Sequence, residues 1–247
     1  MTKELKLPKG YNTKEEYVHS IFSTIAPRYD LLNTILSFNR DKTWRKITVD
    51  KTGLAAGNKG VDICCGTGEL AFEQLKRVGN KGEVIGVDFC ENMLAVAQEK
   101  TPEEYKDNVR WLKGDATNLP LPDNEFDGAT IGFALRNVPS IEKTIREMKR
   151  IVKPGGKVVS LELAKPSAPG FKHLYYMYIN HLVPIMGKLG IGKEGPYAYL
   201  PNSLKVFPHQ EEIKDIFGDI GLINPHYIEL TGGIVAVHIG TKRTIGS

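Results

Sequence analysis

Across residues 1–53 the apolar positions recur at helical spacing. Tyr17, Ile21, Phe22 and Ile25 share one face, a second stretch runs from Arg28 to Leu36, and a third begins near Asp41 with Trp44 and Ile47 one turn apart. After Gly57-Asn58-Lys59-Gly60 the pattern changes. Short apolar runs predict strands over 60–64, 83–87, 109–113, 126–132 and 157–163, and amphipathic stretches predict helices over 69–78, 92–100 and 140–151. Strands separated by single helices imply right-handed βαβ units and a mostly parallel sheet. Lys153-Pro154-Gly155-Gly156 is expected to turn out of a helix into the fifth strand. A last helix over 210–217 precedes strands over 222–230 and 234–241. The Thr231-Gly232-Gly233 turn between them is short enough to make that pair antiparallel.

The chain thus divides into an N-terminal helical cap (1–53) and an α/β domain (54–247) whose sheet has seven strands, mostly parallel, with an antiparallel strand at the C-terminus and helices on both faces. Residues 165–208 interrupt the alternation. They are rich in aromatic residues, glycines and prolines, among them Phe171, Tyr175, Tyr178, Pro184, Gly190 and Tyr199. So long an insertion in an economical domain reads as a lid or substrate-binding element. Leu174, Tyr178 and Leu182 form a stripe at helical spacing that fits either an apolar channel or core packing.

The richest chemistry lies in Val61-Asp62-Ile63-Cys64-Cys65-Gly66-Thr67-Gly68-Glu69-Leu70, a strand-to-helix turn whose glycines let a ligand approach the backbone. Asp62, four residues before Gly66, would repel a pyrophosphate and attract a cation. That favours S-adenosyl-L-methionine, which carries a sulfonium and an ammonium but no phosphate. In open parallel sheets ligands bind beyond the carboxyl ends of the strands, and Asp62, Asp88 and Asp115 fall near three such ends. Asp88, about 20 residues past the glycine turn, suits a ribose-binding acid. Asp115, followed by Ala116, could accept the adenine amino hydrogens. A nicotinamide cofactor stays open, because Gly66, Gly68 and Ala71 also satisfy a loose dinucleotide fingerprint. So do local readings of the acids, as caps or Asx-turns.

Composition narrows the function further. The 247 residues are 41% hydrophobic and 25% charged, with net charge +4 and no block of like charges, which gives nucleic-acid binding little support. No window approaches the roughly 18 apolar residues of a membrane span, and Met1-Thr2-Lys3-Glu4 begins no secretory signal. The expectation is a cytoplasmic protein, with peripheral contact at the inner face of a membrane and a homodimer both left open. Cys64, Cys65 and Cys90 form no C-x-x-C, so no metal is expected, and the adjacent pair reads as packing thiols.

Several motifs carry a more specific likeness. Tyr29-Asp30-Leu31-Leu32-Asn33-Thr34-Ile35-Leu36-Ser37 with Trp44-Arg45, and Arg150-Ile151-Val152-Lys153-Pro154-Gly155-Gly156 with Glu162, resemble the two signatures of the ubiquinone/menaquinone biosynthesis C-methyltransferase family. Phe133-Ala134-Leu135-Arg136-Asn137-Val138 and Leu230-Thr231-Gly232-Gly233-Ile234-Val235 match it too, so the resemblance covers nearly the whole chain. Leu32, Asp41, Gly132 and Ala164 depart from the family's usual Met, His, Ser and Ser. The resemblance implies a Rossmann-like class I S-adenosylmethionine-dependent methyltransferase, with cofactor contacts at Thr67, Asp88, Asp115 and Ala116. It also implies methylation of a ring carbon on a reduced polyprenyl quinone. Demethylmenaquinol is the first choice, and a ubiquinone-pathway benzoquinol or another amphipathic lipid acceptor is the alternative. Such a carbon becomes nucleophilic when a quinol hydroxyl loses its proton. Arg136 and Asn137, past the fourth strand, are expected to stabilise the resulting anion or orient a water, with Tyr29 and Asp30 folding over the same opening.

Overall fold

The computed structural model describes residues 8, 10–182 and 195–244. Three helices lead in. α1 (Lys14–Ile25) starts where the Glu16 amide donates to the Thr13 hydroxyl at 3.1 Å. α2 (Tyr29–Leu36) follows a single 3-10 turn, and α3 (Asp41–Thr52) stops at Gly53, whose left-handed backbone suits glycine. The three do not act alike. α3 joins the helical layer of the sheet, with Trp44 packed against Val159, Leu161, Val235 and Val237. α1 instead buries Val18, Ile21 and Ile25 against Cys90, Met93 and Tyr199.

The sheet contains β1 (Lys59–Ile63), β2 (Glu83–Asp88), β3 (Val109–Lys113), β4 (Phe126–Gly132), β5 (Val152–Leu163), β6 (Leu222–Leu230) and β7 (Val235–Lys242) in the order β3-β2-β1-β4-β5-β7-β6. The first five are parallel, and β7 runs antiparallel to both β5 and β6. The chain winds outward from β1 in both directions, so the crevice beyond β1 and β4 is the topological switch point where such sheets bind ligands. α4 (Glu69–Val78) packs Ala71, Leu75 and Val78 on one face of the sheet. α6 (Ile141–Ile151) and α9 (Gln210–Asp219) bury Ile145, Met148, Ile213 and Phe217 on the other. α5 (Glu91–Lys100) lies beside β2 and β3, its Thr101 C-cap hydroxyl accepting from the Trp111 indole at 3.0 Å.

Two regions differ from the sequence expectation. The Lys153–Gly156 turn becomes a bulge inside β5, since the ladder with β4 jumps from Phe126 opposite Val152 to Gly128 opposite Lys157. Gly155 is left-handed there, and a Cβ on Gly156 would lie 2.9 Å from the Lys153 carbonyl oxygen. Residues 165–208 are helical where described: α7 (Pro169–Met177), a π-helical turn over Tyr178–Leu182, and α8 (Gly195–Val206). Here Tyr175 and Ile179 are buried and Leu174 is 56% exposed. Of the Leu174–Tyr178–Leu182 stripe, Leu174 thus faces outwards while Tyr178 is half-buried. Pro184 and Gly190 lie outside the described residues, as does the side chain of Leu182.

Candidate active site

Two strand ends at the switch point hold non-glycine residues in left-handed backbone: Cys64 after β1 (φ 53°) and Phe133 after β4 (φ 55°). Such conformations cost on the order of 1–3 kcal/mol each and persist where the surroundings over-determine them. Both residues line a cleft of about 310 Å³, a normal size for a small-molecule site. Its floor comes from Gly66, Asp88, Gly114, Asp115, Ala116 and Gly132, and its roof from Glu15, Val18 and Phe22 of α1 together with Tyr29. Three acids line this cleft and none of its described lining residues is Lys, Arg or His. A pyrophosphate would find no counter-charge there. A cationic, phosphate-free ligand fits the donor set.

Asp88 is 6% exposed and burial holds its carboxyl above the usual aspartate range. Its two oxygens accept from the Gly66 and Cys90 amides, each at 2.8 Å, which fixes the carboxylate at the end of β2. Asp115 is exposed at the cleft rim, and the Thr117 amide and hydroxyl both donate to it at 2.8 Å. That is an Asx-type turn which also faces the cleft, so the local and the binding readings of this acid coexist. Ala116 beside it is buried and supplies apolar wall.

The glycine turn is less uniform than the motif suggests. Gly66 faces the ligand space, for a Cβ there would meet nothing nearer than a Tyr29 ring carbon at 4.0 Å. Gly68 faces away, and its Cβ would lie 2.6 Å from the Trp111 indole. Its left-handed φ of 86° caps α4, so packing and backbone conformation account for this glycine; Gly66 is left-handed too, at 55°, but leaves open space on the cleft side. Gly132 is covered by Leu70, whose Cδ1 would sit 2.5 Å from an added Cβ.

Asp62 is 1% exposed, and burial pushes its carboxyl up to about 7 even though the Thr130 hydroxyl donates to it at 2.6 Å. It does not line the main cleft. It borders a side pocket of about 30 Å³ with Arg45 and Thr67, which shares Cys64, Gly66 and Gly132 with the cleft. Thr67, also 1% exposed, donates to Asp30 at 2.5 Å, and Lys100 pairs with the other Asp30 oxygen at 2.6 Å. Asp30 lines none of the described cavities. Through Thr67 it ties α2 to the glycine turn. Cys65 packs in the core as expected, but Cys64 forms part of the cleft wall.

A second cavity of about 130 Å³ adjoins the first, and Phe22, Tyr29 and Phe133 line both. Its remaining walls come from α1, α2, the start of α3, α7 with the π-helical turn after it, α8, Leu163 and Ile234. Arg136 stands in this wall. Its guanidinium is ion-paired with Glu162 of β5 and donates to the Phe133 carbonyl at 2.6 Å. Asn137 turns instead to the first cleft, its side-chain oxygen accepting from the Tyr199 hydroxyl at 2.8 Å. The two neighbours thus line different cavities while both donating to the Phe133 carbonyl. Glu162 is a site residue that sequence reasoning quoted only as part of a signature. Its lone acid in an apolar strand was the available signal.

An open sheet of this order with an acid-lined cleft at its switch point has the fold of solved S-adenosylmethionine-dependent methyltransferases. The profile of the ubiE/COQ5 methyltransferase family matches residues 11–242, and the chain belongs to that family. It is 48% identical over 242 residues to a demethylmenaquinone methyltransferase of Desulfitobacterium hafniense (strain Y51), covering 98% of this chain and 96% of that protein. It is 44% identical to the protein of the same name from Staphylococcus saprophyticus, covering 93% and 97%. Among solved structures, a SAM-dependent methyltransferase from Aquifex aeolicus superposes with TM-score 0.62 at 21% identity, covering 86% of this chain and 97% of that one. Phosphoethanolamine N-methyltransferase 2 of Haemonchus contortus, in complex with S-adenosyl-L-methionine, gives 0.66 at 16% identity, covering 96% and 62%. Such distant likenesses speak for the fold.

Proposed function

We propose that this enzyme methylates a ring carbon of demethylmenaquinol, giving menaquinol, and that its acid-lined cleft holds the methyl donor. The observation that carries this reading is the pair of adjoining cavities, one acid-lined with no basic residue among its described lining residues, the other walled by aromatic side chains and a buried arginine. The names of the relatives at 44–48% identity support the naphthoquinol as acceptor.

When bound, S-adenosylmethionine supplies an electrophilic methyl group on a sulfonium. Asp88 would receive the ribose hydroxyls, Asp115 and Ala116 the adenine, and Gly66 would allow close approach of the backbone. Asp62 and Thr67, with Gly68 capping the helix behind them, border the side pocket suited to the ammonium end. Arg136, held in place by Glu162, faces the acceptor side, where a fixed cation stabilises the negative charge of a deprotonating quinol. Tyr29 frames the passage between the cavities. Burial raises its phenol above the ordinary range, so it acts as a hydrogen-bond donor and not as a base. Asn137, oriented by Tyr199, positions groups on the donor side, and Asp30 is a positioning residue that fixes Thr67.

The reading includes peripheral contact with a membrane, because the acceptor is a lipid. Among the described residues no helix is long and apolar enough to cross one. Leu31, Ile35 and Phe38 on and just after α2, with Phe171, Leu174 and Met177 on α7, are nevertheless exposed. Those helices also line the second cavity, and residues 163–193 contain no Asp or Glu. An apolar edge beside an acid-free stretch suits an anionic lipid surface.

Mass spectrometry of reactions containing the methyl donor and reduced demethylmenaquinone, benzoquinol or phospholipid acceptors tests the reading. A product carrying one added methyl group should appear with the naphthoquinol. Methylation of only the other acceptors, or of none, would overturn it. In single-turnover assays Arg136→Ala should slow transfer by roughly 10²-fold or more while S-adenosylhomocysteine affinity stays near wild type.

A further inference from the structure

S-adenosylmethionine ends in an amino acid, so a site for it has to receive a carboxylate as well as an ammonium. The acid-lined cleft offers that carboxylate no counter-charge, since none of its described lining residues is basic. The small side pocket beside it differs. Arg45 of α3 is the one basic residue among its described lining residues. Lys100 also reaches the glycine turn, but its three donors are taken by Asp30, Glu69 and the Thr67 carbonyl. Arg45 is therefore the cation to account for.

Its charged end, and not only its stem, belongs to this pocket. The guanidinium carbon lies 5.7 Å from the centre of the Phe133 ring. Burial raises both the Asp62 carboxyl and the Tyr29 phenol, and the Arg45 charge is among the influences that oppose the rise at each. Phe133, Asp62 and Tyr29 all line the pocket. The Arg45 side chain is only 6% exposed, yet among the described residues Asp41 alone hydrogen-bonds to it, through Nη1. A guanidinium carries five N–H donors in one plane, so an arginine paired in this way can still hold a second carboxylate. The pocket, at about 30 Å³, has room for about two waters or for the charged end of a ligand whose body lies in the cleft, with which it shares Cys64, Gly66 and Gly132.

We propose that Arg45 receives the carboxylate of the methyl donor's amino-acid end, while Asp62 attracts its ammonium. The assignment rests on the reading of the cleft given above and adds to it a residue from the N-terminal helices. One cation and one buried acid around a small pocket recognise a zwitterion, which neither would do alone. Arg45 then decides between the intact donor and its decarboxylated form, a ligand that the acids by themselves would favour for its larger positive charge.

Calorimetry tests the assignment without relying on turnover. S-adenosylhomocysteine and its decarboxylated analogue, which keeps the ammonium, are titrated into full-length wild type, Arg45→Lys, Arg45→Met and the double variant Asp41→Asn with Arg45→Met. The double variant removes both charges of the buried pair, so no uncompensated carboxylate remains, and the Ser37 hydroxyl keeps an acceptor at position 41. Wild type should bind S-adenosylhomocysteine at least about tenfold more tightly than the analogue, as for a hydrogen bond between charged groups. Both variants with Met at position 45 should lose that preference through weaker binding of S-adenosylhomocysteine, and Arg45→Lys should lose part of it. Their affinity for the analogue should hold, or rise where a cation no longer repels its ammonium, which separates lost carboxylate recognition from a damaged fold. Equal binding of the two ligands by wild type, or a preference that survives in the double variant, would overturn the proposal and leave the cleft reading intact. Failure of wild type to bind either ligand would overturn both.

Discussion

Arg136 and Glu162 form an ion pair across the ends of β4 and β5 with side chains only 8% and 1% exposed. Glu162 also accepts from the Leu163 amide at 2.8 Å, so one carboxylate fixes both the arginine and the end of its own strand. Removing one partner of a buried pair leaves an uncompensated charge and costs about 3–5 kcal/mol. Glu162→Ala should therefore lower the unfolding free energy by about that amount in denaturant titrations. In protein that remains folded it should also slow methyl transfer, because Arg136 loses its anchor.

Asp88 holds the turn and faces the cleft at once. Asp88→Ala removes the acceptor for the Gly66 and Cys90 amides together with the proposed ribose contact. S-adenosylhomocysteine affinity should fall by at least about tenfold, equivalent to one or more hydrogen bonds to a charged group. Acceptor affinity should change far less. A wild-type-like dissociation constant in calorimetry would remove Asp88 from the cofactor site.

Asp62 makes stability depend on pH in a direction opposite to that of most carboxylates. Its folded-state value of about 7 lies above the unfolded value, so the folded state keeps a proton that the unfolded chain releases as pH rises. This group therefore costs stability progressively between about pH 4 and pH 7. Asp62→Asn abolishes the dependence. Relative to wild type without cofactor, the variant should gain about 3 kcal/mol between pH 5 and pH 8, two units of lost protonation cost. Parallel denaturation curves at the two pH values would contradict the assignment.

The exposed edge of α2 and α7 is open to a direct check. Leu31→Ser combined with Leu174→Ser removes two side chains that are 61% and 56% exposed, and leaves Leu32 and Tyr175 packed beneath. Folding stability should stay within about 1 kcal/mol of wild type, as for surface changes away from special features. Co-sedimentation with vesicles of phosphatidylglycerol and phosphatidylcholine should drop severalfold. Undiminished sedimentation would put the membrane-facing surface elsewhere.

Local pattern settles much of this protein. The alternation of strand and helix after Gly57, the 109–113 and 126–132 strands, the α4 boundaries and the start of α3 follow from periodicity and turn residues, since each depends on neighbours a few positions away. The glycine turn and the acids at consecutive strand ends were legible for the same reason, because a parallel sheet sends every strand end to one edge. Tertiary structure decided the rest. Which glycine faces the cleft depends on Trp111 packing behind Gly68, and which acid lies in the cleft depends on Asp62 turning towards Thr130 and Asp30 towards Thr67. The second cavity has no signature of its own, being assembled from α1, α2, α3, α7, α8 and the ends of β4 and β5, whose lining residues lie more than two hundred positions apart. Periodicity reports which side of an element is apolar. Only the packed fold reports what covers that side and where a gap remains.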